Sequence, residues 1–95
     1  MFRERVFSAC RRIPAGRVAA YAEVARATGS PKSARAVGNV LNKNRLSSVP
    51  CHRVIRSDGR VGGFVHGTGK KAAMLRAEGV VISCGRVAAR FFCRL

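Results

Sequence analysis

The chain has 95 residues, 47% of them hydrophobic, and a net charge of +15, which sizes it for one small domain with an ordinary apolar core. No stretch approaches the roughly 18 uncharged apolar residues of a membrane span, and Met1-Phe2-Arg3-Glu4-Arg5 opens without the apolar run of a secretory signal. So large an excess of positive charge calls for an anionic partner; the phosphate backbone of nucleic acid is the commonest, and an acidic membrane surface is the rival.

Along the chain, Phe2, Val6, Cys10 and Ile13 recur at helical spacing and predict an amphipathic helix over 2–12, ended by Pro14-Ala15-Gly16. After a short extended link, 17–20, a second helix is expected over 21–28, with Val24 and Ala25 inward and Gly29 at its stop. Ser30-Pro31 reads as an N-cap followed by proline at the first helical position, so the third helix is placed at about 31–42. Its Ala34, Val37 and Leu41 share one face; Arg35, Asn39 and Asn42 share another, with Gly38 between them. Two short helices joined by Thr28-Gly29-Ser30 have the form of a helix-turn-helix. The run 54–61 predicts a hairpin with Asp58-Gly59 in its turn. Residues 62–69 form a glycine-rich loop that lacks the Gly-Lys-Ser/Thr ending of a phosphate-binding loop. A fourth helix is expected over 70–78, then a strand over 80–83. Arg86, Arg90 and Arg94, with Val87, Phe91 and Leu95, predict a terminal basic helix that caps the core. The fold class expected is mainly α with a small β-hairpin, a winged helix-turn-helix-like domain over 1–82 followed by a basic tail over 83–95.

Cys10, Cys51, Cys84 and Cys93 include no Cys-x-x-Cys, and His52 and His66 lack finger spacing, so no structural zinc site is expected, nor any cofactor. The thiols read as reduced, and Cys51, in Val49-Pro50-Cys51-His52-Arg53-Val54, is the one in a reactive context. A free thiol is only slightly ionised at neutral pH, so a nucleophilic cysteine needs a lowered pKa or a base. His52 is the candidate base. In an extended segment adjacent side chains face opposite ways, which favours a bridging water over a direct bond. A base also needs an orienting partner. Of Glu4, Glu23, Asp58 and Glu78, Glu78 at the end of the fourth helix is the choice by elimination, because Asp58 is used in its turn.

Pro50-Cys51-His52-Arg53-Val54 resembles the signature of the O6-alkylguanine-DNA alkyltransferases. The resemblance extends, in order, through Gly16-Arg17-Val18, Tyr21-Ala22-Glu23-Val24-Ala25, Ser33-Ala34-Arg35-Ala36-Val37-Gly38, Asn44, Gly62-Gly63-Phe64 and Leu75-Arg76-Ala77-Glu78-Gly79, covering about 2–82. It implies a protein of the cytoplasm or nucleoid, or of the nucleus in a eukaryote. Its partner would be double-stranded DNA containing O6-alkylguanine, and the alkyl group would pass once and irreversibly to Cys51. Arg35 would fill the gap left by an extruded base, and Tyr21 would rotate the 3′ phosphate and protonate the leaving guanine. His52 would act through water with Glu78 orienting it, and Asn44 would steady the cysteine loop. Ser33, Ala34, Gly38 and Asn39 would approach the groove, with Lys32, Lys43 and Arg53 on phosphates. Val54, Phe64 and Val65 would line the base pocket.

The chain departs from that pattern in places. It starts at the DNA-binding domain, so either the 95 residues are stable alone, or a partner chain or a dimer replaces the N-terminal domain, or the chain is a fragment of a longer one. The loop from Asn44 to Cys51 is one residue shorter than usual, and its Arg45-Leu46-Ser47-Ser48 replaces a more apolar, proline-containing run. Phe64 stands for a tyrosine, Val65 for a small hydroxyl residue, and His66 is bulkier than the residue it replaces. Two other functions compete. Alkyltransferase-like proteins bind lesions but usually carry tryptophan in place of the cysteine. A winged-helix regulator would explain the charge and the fold but not the cysteine motif.

Overall fold

The computed structural model describes residues 1–44, 46–62 and 68–95. In chain order these form α1 (Phe2–Arg11), β1 (Ala19–Ala20), α2 (Tyr21–Ala27), α3 (Ala34–Asn42), a 3-10 turn (Cys51–Arg53), β2 (Val54–Ile55), α4 (Thr68–Ala77), β3 (Ile82–Ser83), β4 (Arg86–Val87) and a second 3-10 turn (Ala89–Phe91).

Two apolar clusters make the core. Val6, Phe7, Cys10, Ile13, Val24, Val37, Leu41 and Val49 join α1, α2 and α3. Val18, Ile55, Val61, Leu75, Val80 and Val87 join α4 to the later strands. The wall between them is the parallel pair β1–β2, with Ala19 opposite Val54 and Ala20 opposite Ile55. Successive strand residues face opposite ways, so Ala19 and Val54 enter the first cluster while Val18 and Ile55 enter the second. All four are fully buried. Burying an aliphatic side chain of this size contributes about 1.5–3 kcal/mol relative to leaving it exposed.

The expected class, mainly helical with a small hairpin, is what the chain forms. Three of the predicted helices lie within two residues of their expected limits. α3 starts later, at Ala34, because Ser30–Ser33 closes as a turn, with the Ser33 N–H on the Ser30 carbonyl at 2.9 Å. Proline's fixed φ suits the second position of a turn as well as the first turn of a helix, so Pro31 alone does not distinguish them.

The hairpin is not where the Asp-Gly pair predicted it. The Asp58–Gly59 turn forms, with Gly59 N–H on Arg56 O and Arg56 N–H on Arg60 O, both 3.0 Å. Yet Val54 and Ile55 pair with β1, and Arg60 bridges to Arg86. The antiparallel hairpin is β3–β4. Its two linking residues, Cys84 and Gly85, have φ of 54° and 75°, the positive values that a two-residue turn matched to strand twist requires.

The predicted terminal helix is also replaced. Residues 86–87 are strand, and the chain end then runs beside β1. Val18 donates to Phe91 O at 2.9 Å and accepts from the Cys93 N–H at 2.8 Å. At the last residue, Glu23 accepts the Leu95 N–H at 2.6 Å, and Arg26 donates to Leu95 O at 2.7 Å. These non-local bonds hold the segment more strongly than its helical period could.

Gly59 is the glycine whose identity the packing demands. Its φ is +91°, and a Cβ there would lie 2.9 Å from the Val87 carbonyl oxygen. Gly29 has a similar φ of +86° with nothing within 4 Å. In urea unfolding, Gly59→Ala is expected to cost about 2–3 kcal/mol and Gly29→Ala about 1 kcal/mol. Equal losses would mean that backbone conformation alone, not the approach to β4, sets the requirement.

Candidate active site

Pro50 leads into a single 3-10 turn in which Arg53 N–H reaches Pro50 O at 3.0 Å. Three residues per turn separate neighbouring side chains by about a third of a circle. The alternation expected of an extended segment is therefore absent: Cys51 is half-buried and His52 is turned inward, 8% exposed. His52 Nε2 lies 3.1 Å from Glu78 Oε2. A carboxylate only accepts, so Nε2 carries the proton in this pair and Nδ1 is left to take one.

The same carboxylate holds Arg53 by two bonds, Nε to Oε1 at 3.0 Å and Nη2 to Oε2 at 2.6 Å. Arg53 Nη1 continues to the Ile13 carbonyl at 2.8 Å. Arg53 foremost holds the Glu78 carboxyl below its ordinary range; partial burial opposes this and His52 adds to it. Elimination among the acids thus found the right partner for His52. It did not find Arg53, whose guanidinium is committed to Glu78 and to α1's C-terminal side instead of turning out to phosphate as expected.

Tyr21 opens α2, directly after β1. Lys71 of α4, fully buried, donates to the Tyr21 hydroxyl at 3.3 Å and lies 5.5 Å from the ring centroid. Burial pushes the Lys71 ammonium down to about 8, while the nearby Cys51 pushes it back up. Tyr21 is raised, chiefly by burial and then by Cys51 and Cys10. The sequence reading missed Lys71 altogether, although the period that buries Leu75 also carried the residue four positions earlier into the core.

On the outside of this cluster, Tyr21, Ala34, Arg35, Gly38, Asn39, Asn42 and Arg56 line an open cleft of about 540 Å³. The polar face expected of the third helix is therefore continuous with Tyr21. A Cβ on Gly38 would meet the Tyr21 ring at 3.9 Å, an ordinary contact. Lys32 is exposed before α3, and Ser33 is half-buried at its start. Lys43 lines a separate groove with Arg3, Phe7, Asn39 and Leu46. Asn44 is buried and folds back on its own loop, accepting the Leu46 N–H at 2.9 Å and donating to Leu46 O at 3.2 Å. Val54 is fully buried in the first cluster, so its backbone, not its side chain, is what a pocket beside Cys51 would meet. Phe64 and Val65 lie outside the described residues. Among the described residues, no group of three or more His, Cys, Asp or Glu side chains is placed to hold a metal ion.

Residues 1–80 match the family described as 6-O-methylguanine DNA methyltransferase, DNA binding domain. The Escherichia coli bifunctional transcriptional activator/DNA repair enzyme Ada is 42% identical over 78 residues, 81% of this chain and 22% of that protein. A methylated-DNA–protein-cysteine methyltransferase of Methanosarcina acetivorans is 40% identical over 79 residues, 82% of this chain and 51% of that protein. The chain thus spans about half the length of these curated relatives or less. Among solved structures, S. pombe Atl1, in complex with damaged DNA containing O6-carboxymethylguanine, superposes with a TM-score of 0.85 at 31% identity, covering 99% of this chain and 95% of that one. Mycobacterium tuberculosis OGT in complex with DNA superposes at 0.78 and 41% identity, covering 81% of this chain and 48% of that one.

The carboxylates set an acid limit. Arg26 foremost and the Leu95 N–H hold Glu23 down to about 2, from an ordinary 4.5, and Glu78 is also depressed. Below 4.5 the unfolded chain therefore binds more protons than the folded one, so stability present above that pH is lost as pH falls toward 2. Thermal unfolding followed from pH 7 to pH 2 is expected to show this decline. Glu78→Gln should flatten part of it and cost about 2 kcal/mol at pH 7, because Arg53 keeps its partial burial without its counter-ion. An unchanged profile in the variant would remove Glu78 from the account.

Proposed function

This chain belongs to the 6-O-methylguanine DNA methyltransferase family, and from that premise we propose that it repairs alkylated DNA by taking the alkyl group of O6-alkylguanine onto Cys51. The observation that carries the reading is the Cys51–His52–Glu78 arrangement: a half-buried thiol on a tight turn, followed by a histidine whose far nitrogen is held by a braced carboxylate.

The chemistry is one displacement. His52 Nδ1, directly or through a water, takes the thiol proton. The Cys51 sulfur then attacks the alkyl carbon, a C–S bond forms, and the bond from carbon to O6 breaks. The guanine leaves with the electron pair and takes a proton from the Tyr21 hydroxyl at its ring nitrogen. The thioether has no leaving path, so each molecule reacts once.

A base stacked in a duplex cannot present its O6 substituent to a protein sulfur, so it must be swung out, which costs a few kcal/mol. Arg35, exposed on the α3 face beside Tyr21, is the side chain to occupy the vacated stack. Lys32 and Lys43 would neutralise phosphates without reading sequence, and the charge of +15 makes binding strongly salt-dependent. The DNA complexes of the S. pombe and Mycobacterium tuberculosis neighbours support docking through the same domain.

A second reading is favoured by one observation, the near full-length match to Atl1: a binder that marks alkylated DNA for other repair factors. Cys51, which such binders usually lack, favours transfer.

Incubation with a duplex carrying one O6-methylguanine is expected to add about 14 Da, one methylene, to the peptide containing Cys51, and nothing to Cys51→Ala. Arg35→Ala should slow transfer from the duplex by about tenfold or more, equivalent to about 1.4 kcal/mol, with a smaller effect on a single-stranded oligomer. Lesion-dependent binding without any mass gain would establish the second reading instead.

A further inference from the structure

The segment 88–95 has no place in the chemistry described above, and the family match ends before it, at residue 80. Yet it is built into the sheet that leads to Tyr21. Phe92 bridges to Val18 in parallel, so the chain from Val18 to Ala20 has β2 along one edge and this segment along the other. The side chains keep the same register. Val18 and Phe92 both meet the α4 cluster, while Ala19 and Cys93 both meet the α1–α3 cluster, which Leu95 also joins. Such alternation between two faces is the mark of a strand, and here both faces are packed.

The same segment holds the chain on both sides of Tyr21. Before it, Val18 donates to Phe91 O at 2.9 Å and accepts from the Cys93 N–H at 2.8 Å, and Arg17 Nη1 donates to Arg90 O at 2.7 Å. After it, the Glu23 carboxylate accepts the Leu95 N–H at 2.6 Å. Arg26, bound to Glu23 through both Nε and Nη2, donates to Leu95 O at 2.7 Å. An acid and a base one helical turn apart thus take the two backbone groups of one residue. Arg26 first and the Leu95 N–H second hold Glu23 down to about 2, so this clamp stays charged at any working pH. α2 is only seven residues long, and the first N–H groups of a helix have no partner within it. The backbone of Tyr21, at its first position, is therefore fixed by what holds the residues on either side. By contrast, the bonds of His52 and Arg53 run to Glu78 and Ile13, not to this segment.

We propose that the segment 88–95 is a positioning strap for Tyr21, clamped by Glu23 and Arg26 at one end and by Val18 at the other. Docked, it sets the angle at which α2 presents the Tyr21 hydroxyl to the departing base. Released, it leaves the hydroxyl out of place while the Cys51–His52–Glu78 group stays intact. The inference rests on the alkyl-transfer reading above.

Two full-length variants open the strap from opposite ends. Glu23→Ala removes the acceptor of the Leu95 N–H. Cys93→Pro removes the N–H given to Val18 without altering α2. The chain has one tyrosine and no tryptophan, so its intrinsic fluorescence reports Tyr21 alone. In both variants, with folding checked by circular dichroism, acrylamide should quench this fluorescence more strongly than in wild type. Single-turnover transfer from an O6-methylguanine duplex at saturating protein should be about tenfold slower. Carboxamidomethylation of Cys51 by iodoacetamide, read by peptide mass, should not change. Glu23→Gln keeps an oxygen for the Leu95 N–H and should recover part of the rate. In a Tyr21→Phe background the strap variants should slow transfer no further, because a strap that acts through the hydroxyl then has nothing to place. Glu23→Ala carries the test if Cys93→Pro does not fold.

Folded strap variants with wild-type quenching would overturn the proposal, as would an equal slowing in the Tyr21→Phe background. If the wild type transfers no alkyl group at all, the functional reading fails by itself, and the quenching comparison still decides whether the segment holds Tyr21.

Discussion

Two strands of two residues each, paired in parallel, determine where the groups of the candidate site stand. β1 runs straight into Tyr21, and β2 begins where the Cys51–Arg53 turn ends. Pairing Ala19 with Val54 and Ala20 with Ile55 therefore sets how far the tyrosine lies from the thiol. The pair is short, and its strength comes from what covers it: both faces are dry, one against the α1–α3 cluster and one against the α4 cluster. The chain end adds a further neighbour by bonding both polar backbone groups of Val18. A slip of one residue in the register would send Ala19 and Val54 to the wrong cluster and displace the site with them.

Glu78 has the corresponding role for the polar half of the site. It lies just past α4 and ties the turn's His52 and Arg53 to it, while Arg53 reaches on to the Ile13 carbonyl after α1. Three parts of the chain distant in sequence meet at one carboxylate. The histidine's orientation follows from that meeting, and Arg53 owes its position to structure although the basic composition made it look like one more surface charge.

The charge of the chain is thus divided by position. Arg35, Lys32 and Lys43 are exposed and free to face a polyanion; Arg26 and Arg53 are bound to carboxylates; Lys71 is inside. An overall count of +15 supports attraction to phosphate but does not say which cations deliver it. Burial and hydrogen bonding make that assignment.

Helices were legible because their signal is local. The 3.6-residue period of Val6, Cys10, Val24, Val37 and Leu41 is written in the chain, and each is buried as that period requires. The string from Pro50 to Val54, with Tyr21, Arg35 and Glu78 in order, was legible for the same reason: it needs only residue identity and sequence. What could not be read was whatever depends on a distant partner. A two-residue strand has no period to detect, so β1–β2 was invisible, and the Asp-Gly turn suggested a hairpin whose strands pair elsewhere. The 86–95 segment carries a helical pattern that loses to backbone bonds with Val18 and to the docking of Leu95 on Glu23 and Arg26. By itself the sequence determined the four helices, the candidate thiol and the chain's own positive charge, because these follow from residue identity and neighbours along the chain. Only the tertiary structure decided that Arg53 braces the site and that Lys71 stands behind Tyr21, because burial and pairing arise when segments far apart in sequence exclude water together.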